Sequence, residues 1–277
     1  MRDVLRLVRA HNLLIAAAGV LAGGWIALET VALPPPKLLG FAALAAAGFA
    51  AAGNTLNDLW DAAADRVNRP GGERPLAAAG RIARGTAHLC VVGGALGGLA
   101  AAMLVGGTAV LVGAAALAVM IAYSPVLKRR GLAGNLAVAL VAGLPLMYGA
   151  IAVGRPAAGV VPWTLAAWMH LVREIVKDLD DEPGDRALGR RTLPIVFGPR
   201  RAALVAAALA GLFVPLSLAL PARAHYAWPY FVVALFAQLA VLLVATRLLV
   251  GRTPGNTVLL KGAMLVGIVA LVAGRVA

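Results

Sequence analysis

Two short segments of this chain concentrate its capacity for chemistry. The first carries Asp58, Asp61 and Asp65, the second Glu174, Asp178, Asp180, Asp181, Glu182 and Asp185; of the 12 acidic residues only Asp3, Glu29 and Glu73 lie elsewhere. Both segments follow one pattern, DL-x-D-x-x-x-DR, as DLWDAAADR from Asp58 and DLDDEPGDR from Asp178. On a helix, positions i, i+3 and i+7 fall within an arc of about 60°, so Asp58, Asp61 and Asp65 form one stripe. In the second segment Pro183 and Gly184 are expected to end the helix, with Asp178 and Asp181 as helical neighbours and Asp185 reaching back from a turn. A carboxylate stripe at the edge of a bilayer repels itself unless cations neutralise it. Acids without His or Cys companions favour hard divalent cations, and Mg²⁺ completes its shell with water and substrate phosphate. Asp58, Asp61, Asp65, Asp178, Asp181 and Asp185 are therefore candidate ligands for two or more Mg²⁺ ions, with a diphosphate held between the stripes. The plainer alternative, solvated loop acids paired with arginines, fits poorly with two matched stripes in so acid-poor a chain.

Basic residues accompany both stripes: Arg66, Arg69 and Arg74 after the first, Lys177, Arg186, Arg190 and Arg191 around the second, and Lys128, Arg129 and Arg130 in YSPVLKRRG between them. Most read as anchors on the cytoplasmic side. Lys128 is the exception, because Pro125 between it and Tyr123 fixes a bend that aims a ring and an ammonium at one cavity. Asn54, one turn before Asp58, either extends the polar stripe or makes a helix–helix hydrogen bond.

The elements that position these residues follow from composition. Of 277 residues, 61% are hydrophobic and 13% charged, with a mean hydropathy of +0.87, which places the chain among integral membrane proteins. The formal charge of +13 would point to nucleic acid in a soluble protein, but long apolar stretches separate the bases here, so nucleic acid is not an expected partner. The single cysteine, Cys90, excludes an internal disulfide and reads as buried packing. The four histidines lack mutual metal-site spacing. Glycine runs such as Gly93-Gly94 and Gly97-Gly98 sit inside an apolar stretch, where they allow close helix packing rather than a nucleotide loop.

Stretches of ~20 apolar residues occur at 13–31, 38–56, 86–104, 107–123, 133–152, 158–176, 201–220, 227–247 and 257–274. The first follows Arg2, Arg6 and Arg9 but has no convincing cleavage site, and is read as a span rather than a signal peptide. The expectation is an all-α membrane protein of nine transmembrane helices around a central cavity, a single domain over residues 1–277. If the spans alternate, one side holds every Lys and Arg of the 25 except Lys37, Arg155, Arg223 and Arg275. That asymmetry predicts a cytoplasmic N-terminus, an external C-terminus and a site facing the cytoplasm from the inner or plasma membrane.

With these motifs in order, the chain resembles the UbiA superfamily of intramembrane prenyltransferases over essentially its whole length. The first acidic motif, N-D-x-x-D-x-x-x-D, stands as Asn57, Asp58, Asp61 and Asp65; the second, D-x-x-x-D, as Asp181 and Asp185 with Asp178 preceding; the tyrosine-to-lysine segment as YSPVLK, Tyr123 to Lys128. Within the superfamily the chain is most similar to the branch making digeranylgeranylglyceryl phosphate. The R-P-H-N start of that branch is matched by Arg9-Ala10-His11-Asn12, its second motif by REIVKDLDDEPGD from Arg173, and DRVNRP and GLAGN are also similar. Ala10 departs from the branch's proline and Asp180 from its usual glutamate.

The resemblance implies an isoprenyl diphosphate, geranylgeranyl diphosphate in this branch, with its tail among the helices and its head at Mg²⁺. The six aspartates, Lys128 and Tyr123 are then catalytic, with Asn57, Lys128, Arg66 and Lys177 binding diphosphate and Arg9, Asn12 and Asn54 binding acceptor. Trp60 is a second candidate to stabilise an allyl cation through its ring face. The implied acceptor is a prenylglyceryl phosphate; an aromatic ring, as in quinone biosynthesis, or a haem precursor would use the same chemistry. A transporter would instead place its ionisable residues near the bilayer midplane.

Overall fold

A computed structural model describes residues 2–29, 35–68, 75–76, 81–123 and 125–276. Among them every regular element is helical: α1 Arg2–Leu7, α2 Ala10–Leu28, α3 Pro36–Asn68, α4 Arg84–Val105, α5 Gly107–Tyr123, α6 Leu132–Ala152, α7 Val160–Asp180, α8 Glu182–Ala187, α9 Leu193–Phe197, α10 Pro199–Arg223, α11 Trp228–Leu249 and α12 Asn256–Val276. Among the described residues, each apolar stretch expected from sequence overlaps one of these helices. Seven helices (α2, α3, α4, α6, α10, α11 and α12) are long and apolar enough to cross a membrane. α5 has 17 residues, and α7 carries Arg173, Glu174, Lys177, Asp178 and Asp180 in its second half.

The outer surface is that of a protein solvated by lipid. Leu14, Leu89, Leu111 and Val258, on four different helices, are 71–74% exposed, an arrangement that only an apolar solvent tolerates on this scale. Inside, small residues let backbones meet. A Cβ at Gly48 would lie 2.8 Å from the Gly94 carbonyl oxygen and 2.9 Å from Gly98, so one glycine of each run, Gly94 and Gly98, packs against α3, while Gly93 and Gly97 face open space. Gly23 and Gly149 play the same part between α2 and α6, where an added Cβ would strike Leu146 and Val20 backbone oxygens. Cys90 is half-buried rather than buried, because α4 turns it toward the bundle's margin.

α3 has 33 residues, about 50 Å of helix at 1.5 Å per residue, well beyond the ~30 Å hydrocarbon thickness. Its last turns extend past the apolar stretch that was expected to end near residue 56, and they carry the first acid stripe. The second acidic segment differs from its sequence expectation. α7 ends at Asp180, and a short helix restarts at Glu182, with Pro183 in its first turn and Gly184 inside it. Proline lacks an N–H and has a fixed φ, so it fits a first turn, where no intrahelical partner awaits its nitrogen. The backbone N–H of Asp181 reaches the Lys177 oxygen at 2.9 Å and that of Asp185 reaches the Asp181 oxygen at 3.1 Å, so the helical register of the acids continues through the junction.

Candidate active site at the acidic rims

The stripe on α3 is real and points inward: Asp58, Asp61 and Asp65 are all buried, as are Asp178, Asp181 and Asp185. Buried carboxylates are sustained by cations and hydrogen bonds, and those partners set the geometry. Lys128 Nζ lies 3.1 Å from Asp61 and 3.4 Å from Asp185. Arg190 also spans the two, donating from one terminal nitrogen to Asp61 and from the other to Asp185 at 2.7 Å. One lysine and one arginine thus join the first acidic rim to the second. Burial works against the charge on Arg190, but the attraction of Asp61 and Asp185 outweighs it and raises its pKa above the ordinary arginine value.

Hydrogen bonds to the backbone draw the rims together beside these pairs. The Asn68 side chain donates to the Asp181 carbonyl oxygen at 3.2 Å and accepts from the Gly184 N–H at 2.7 Å. A Cβ on Gly184 would come within 2.7 Å of the Ala64 carbonyl oxygen, so only glycine permits this approach. Asn135, at the start of α6, donates to Asp178 at 2.9 Å, and Lys177 pairs with Asp181 at 3.2 Å. The bend expected between Tyr123 and Lys128 is present: α5 stops at Tyr123 and a 3-10 turn carries Leu127–Arg130. Tyr123 is buried at the end of α5, within electrostatic reach of Glu174, Asp178, Asp61 and Asp185.

These groups enclose a small polar cavity. Asn57, Asp61, Asp65, Lys177, Asp181 and Lys128 line it together with Asn68, Asp185 and Arg190. Its carboxylates Asp61, Asp65, Asp181 and Asp185 exceed its cations Lys128, Lys177 and Arg190 by one, which leaves room for added positive charge. Among the described residues no three acidic, His or Cys side chains converge as a preformed metal cage. The residues nonetheless fit a hard divalent ion: the donors are all oxygen, and buried Asp185 Oδ2 has no hydrogen-bond partner among the described residues. Magnesium is commonly held by one or two carboxylates plus substrate phosphates, so a complete cage is not required.

Other expected positions are placed differently. Arg9 pairs with Asp58 and takes a left-handed backbone conformation at the start of α2. Asn54 donates to the Val8 carbonyl at 3.0 Å, which ties α3 to the turn that carries Arg9. Asn12 is half-buried near Arg9. Arg66 is exposed and off the cavity, because it follows Asp65 by one residue and so leaves the inward face. Trp60 is 54% exposed and is not a cavity wall. Arg69 and Arg74 lie outside the described residues. Sequence reasoning missed Asn68 and reduced Arg190 to an anchor. The signal for Asn68 was available, since 58, 61, 65 and 68 continue one heptad-like face.

An apolar helical bundle that buries paired acids and bases at its helix ends is the architecture of an integral, multi-pass membrane protein with a polar site set into it. The chain belongs to the UbiA prenyltransferase family, which matches residues 16–269, and it is a prenyltransferase. It is 35% identical over 278 residues, covering 99% of each chain, to the digeranylgeranylglyceryl phosphate synthase of Methanopyrus kandleri. The solved structure of a UbiA homolog from Aeropyrum pernix K1 shares the fold with a TM-score of 0.80 at 20% identity, over 94% of this chain and 96% of that one. A UbiA homolog from Archaeoglobus fulgidus bound to GPP and Mg²⁺ does so with a TM-score of 0.67 at 19% identity, over 98% of each chain.

Proposed function

We propose that the protein transfers a geranylgeranyl group from its diphosphate to the free hydroxyl of geranylgeranylglyceryl phosphate, in a Mg²⁺-dependent reaction at the joined acidic rims. The observation that carries this reading is the convergence of Asp61 and Asp185, 124 positions apart in sequence, on the same two cations, Lys128 and Arg190. The acceptor is supported by near-full-length identity to a relative of that name, and Mg²⁺ by a structural neighbour described with GPP and Mg²⁺.

In this proposal Asp58, Asp61 and Asp65 on one rim and Asp178, Asp181 and Asp185 on the other hold two or more Mg²⁺ ions. Bound there, Mg²⁺ supplies charge neutralisation for the departing diphosphate. Lys128, Lys177, Asn57 and Arg190 add fixed donors aimed at the same negative charge. The C1–O bond of the allylic diphosphate breaks with its electron pair leaving on the diphosphate, and the acceptor hydroxyl oxygen bonds to C1. Its proton passes to the departing diphosphate. Tyr123 presents a ring to the allyl cation, and the apolar helices exclude the water that would capture it. Arg9 binds the acceptor phosphate: its Nε is buried without a hydrogen-bond partner among the described residues, and Asn12, about one turn further on, orients the glycerol.

The same proposal takes α5 and α7 as membrane crossings beside the seven apolar helices, nine in all, in one domain. The basic asymmetry then sets the N-terminus and the site toward the cytoplasm of a cell membrane. Purified protein given Mg²⁺, labelled geranylgeranyl diphosphate and each acceptor separately tests the assignment. Product is expected with geranylgeranylglyceryl phosphate; product with 4-hydroxybenzoate and none with the glyceryl phosphate would overturn the acceptor.

A further inference from the structure

A second, larger concavity lies behind the catalytic cavity and belongs to neither acidic rim. It is a groove of about 670 Å³ formed by the 3-10 turn, the first residue of α6, α9 and the first turns of α10. Its polar wall is Arg130, Arg191 and Arg201, and no carboxylate lines it. Its apolar wall includes Leu132, Val196 and Phe197, which are 43%, 44% and 56% exposed. Among the described residues, none of the three arginines has an ion-pair partner.

Position and chemistry together narrow the occupant. α6 and α10 are both long and apolar enough to span a bilayer, and both begin at this groove. It therefore opens where hydrocarbon gives way to headgroups. Guanidinium groups match phosphate oxygens in geometry and charge, and exposed aliphatic and aromatic side chains below them match a chain. A soluble phosphate would leave the apolar wall unused, and a neutral lipid would leave three arginines facing nothing. Basic pockets at helix ends are general sites for anionic headgroups.

We infer that this groove binds an anionic glycerophospholipid of the surrounding bilayer, phosphate on the arginines and chain along Leu132, Val196 and Phe197. The site backs directly onto the catalytic one. The turn that presents Lys128 inward presents Arg130 outward, and the segment that presents Arg190 inward presents Arg191 outward. The two walls touch: a Cβ on Gly131 would lie 3.6 Å from the Arg191 carbonyl oxygen and 3.9 Å from Leu193. A lipid seated in the groove thus braces the two segments that hold the site's shared cations.

Native mass spectrometry of the delipidated full chain, titrated with phosphatidylglycerol or phosphatidylcholine, tests this. The wild type is expected to retain one phosphatidylglycerol in preference to phosphatidylcholine. Replacing Arg130, Arg191 and Arg201 together by Ala should weaken that retention roughly a hundredfold, about fivefold for each basic residue near an anionic surface. Replacing Arg2, Arg84 and Arg252, exposed arginines far from the groove in sequence, should leave it unchanged. Equal loss in both triple variants would reduce the effect to net charge and overturn the site. Equal retention of the two lipids by the wild type would do so without any variant. Displacement by glycerol 1-phosphate at the lipid's own concentration would remove the apolar wall from recognition and overturn the inference. Stoichiometric displacement by geranylgeranylglyceryl phosphate would reassign the groove to substrate.

Discussion

Gly184 donates its backbone N–H to the Asn68 side chain at 2.7 Å, tying the last residue of the first acidic helix to the middle of the second acidic segment. The pair explains how two motifs far apart in sequence hold one spacing. Asn68 uses both ends of its amide for this, since its nitrogen also donates to the Asp181 carbonyl. An Asn68→Ala change removes both bonds and leaves a buried N–H and carbonyl seeking water, a loss of roughly 1–3 kcal/mol. Gly184→Ala would force the same separation by steric contact with Ala64 and Asn68. Both variants are expected to remain folded and to need about tenfold more Mg²⁺ for half-maximal activity, since 1.4 kcal/mol corresponds to a factor of ten. A Mg²⁺ titration of kcat/KM that superimposes on the wild type would deny the pair this role.

Asp61 and Asp185 are the acids shared by Lys128 and Arg190, so they are where the site is least redundant. Asp61→Asn or Asp185→Asn keeps the size of the side chain and removes the charge. Turnover is expected to fall by at least about a hundredfold, the scale on which single electrostatic groups at a reacting centre act, with helix content by circular dichroism preserved. Near-normal turnover in both variants would contradict metal and diphosphate binding at these residues.

Arg190 makes a different prediction because it is a structural cation before substrate arrives. Arg190→Ala leaves two buried carboxylates with Lys128 alone, and breaking a buried ion pair on one side costs about 3–5 kcal/mol. The retained lysine puts the expected loss at the lower end of that range. Added Mg²⁺ supplies the missing charge, so thermal stability in detergent should drop without the metal and recover substantially with it. A drop that Mg²⁺ does not repair would mean that Arg190 holds the fold and has no part in balancing the site's charge.

The sequence made the acid stripe of α3 legible because helical periodicity alone determines that Asp58, Asp61 and Asp65 share a face, and burial follows from that face. The bend at Pro125 was legible for the same local reason. What was hidden depended on tertiary approach. Arg190 looked like any cytoplasmic anchor, since nothing local reveals that the chain after α8 turns back into the bundle. The restart at Glu182 was hidden because Pro183 and Gly184 together were read as a stop, whereas proline equally suits a first turn; the close approach of Gly184 to Asn68 and Ala64 is a tertiary contact that no local pattern reveals. Arg66 shows the opposite case: its charge suits a diphosphate, but one residue past Asp65 it is exposed and does not line the cavity.

Arg9 allows the two anionic substrates to be told apart. One of its terminal nitrogens donates to Asp58, while its buried Nε has no hydrogen-bond partner among the described residues. Arg9→Lys keeps a cation that can reach Asp58 but removes the second, differently directed donor. If that donor meets the acceptor phosphate, the variant's KM for geranylgeranylglyceryl phosphate should rise about tenfold, the loss of a single charge-assisted hydrogen bond, while its KM for geranylgeranyl diphosphate stays within twofold. A rise confined to the diphosphate would make Arg9 a residue that positions Asp58 alone, and the acceptor phosphate would then need another partner.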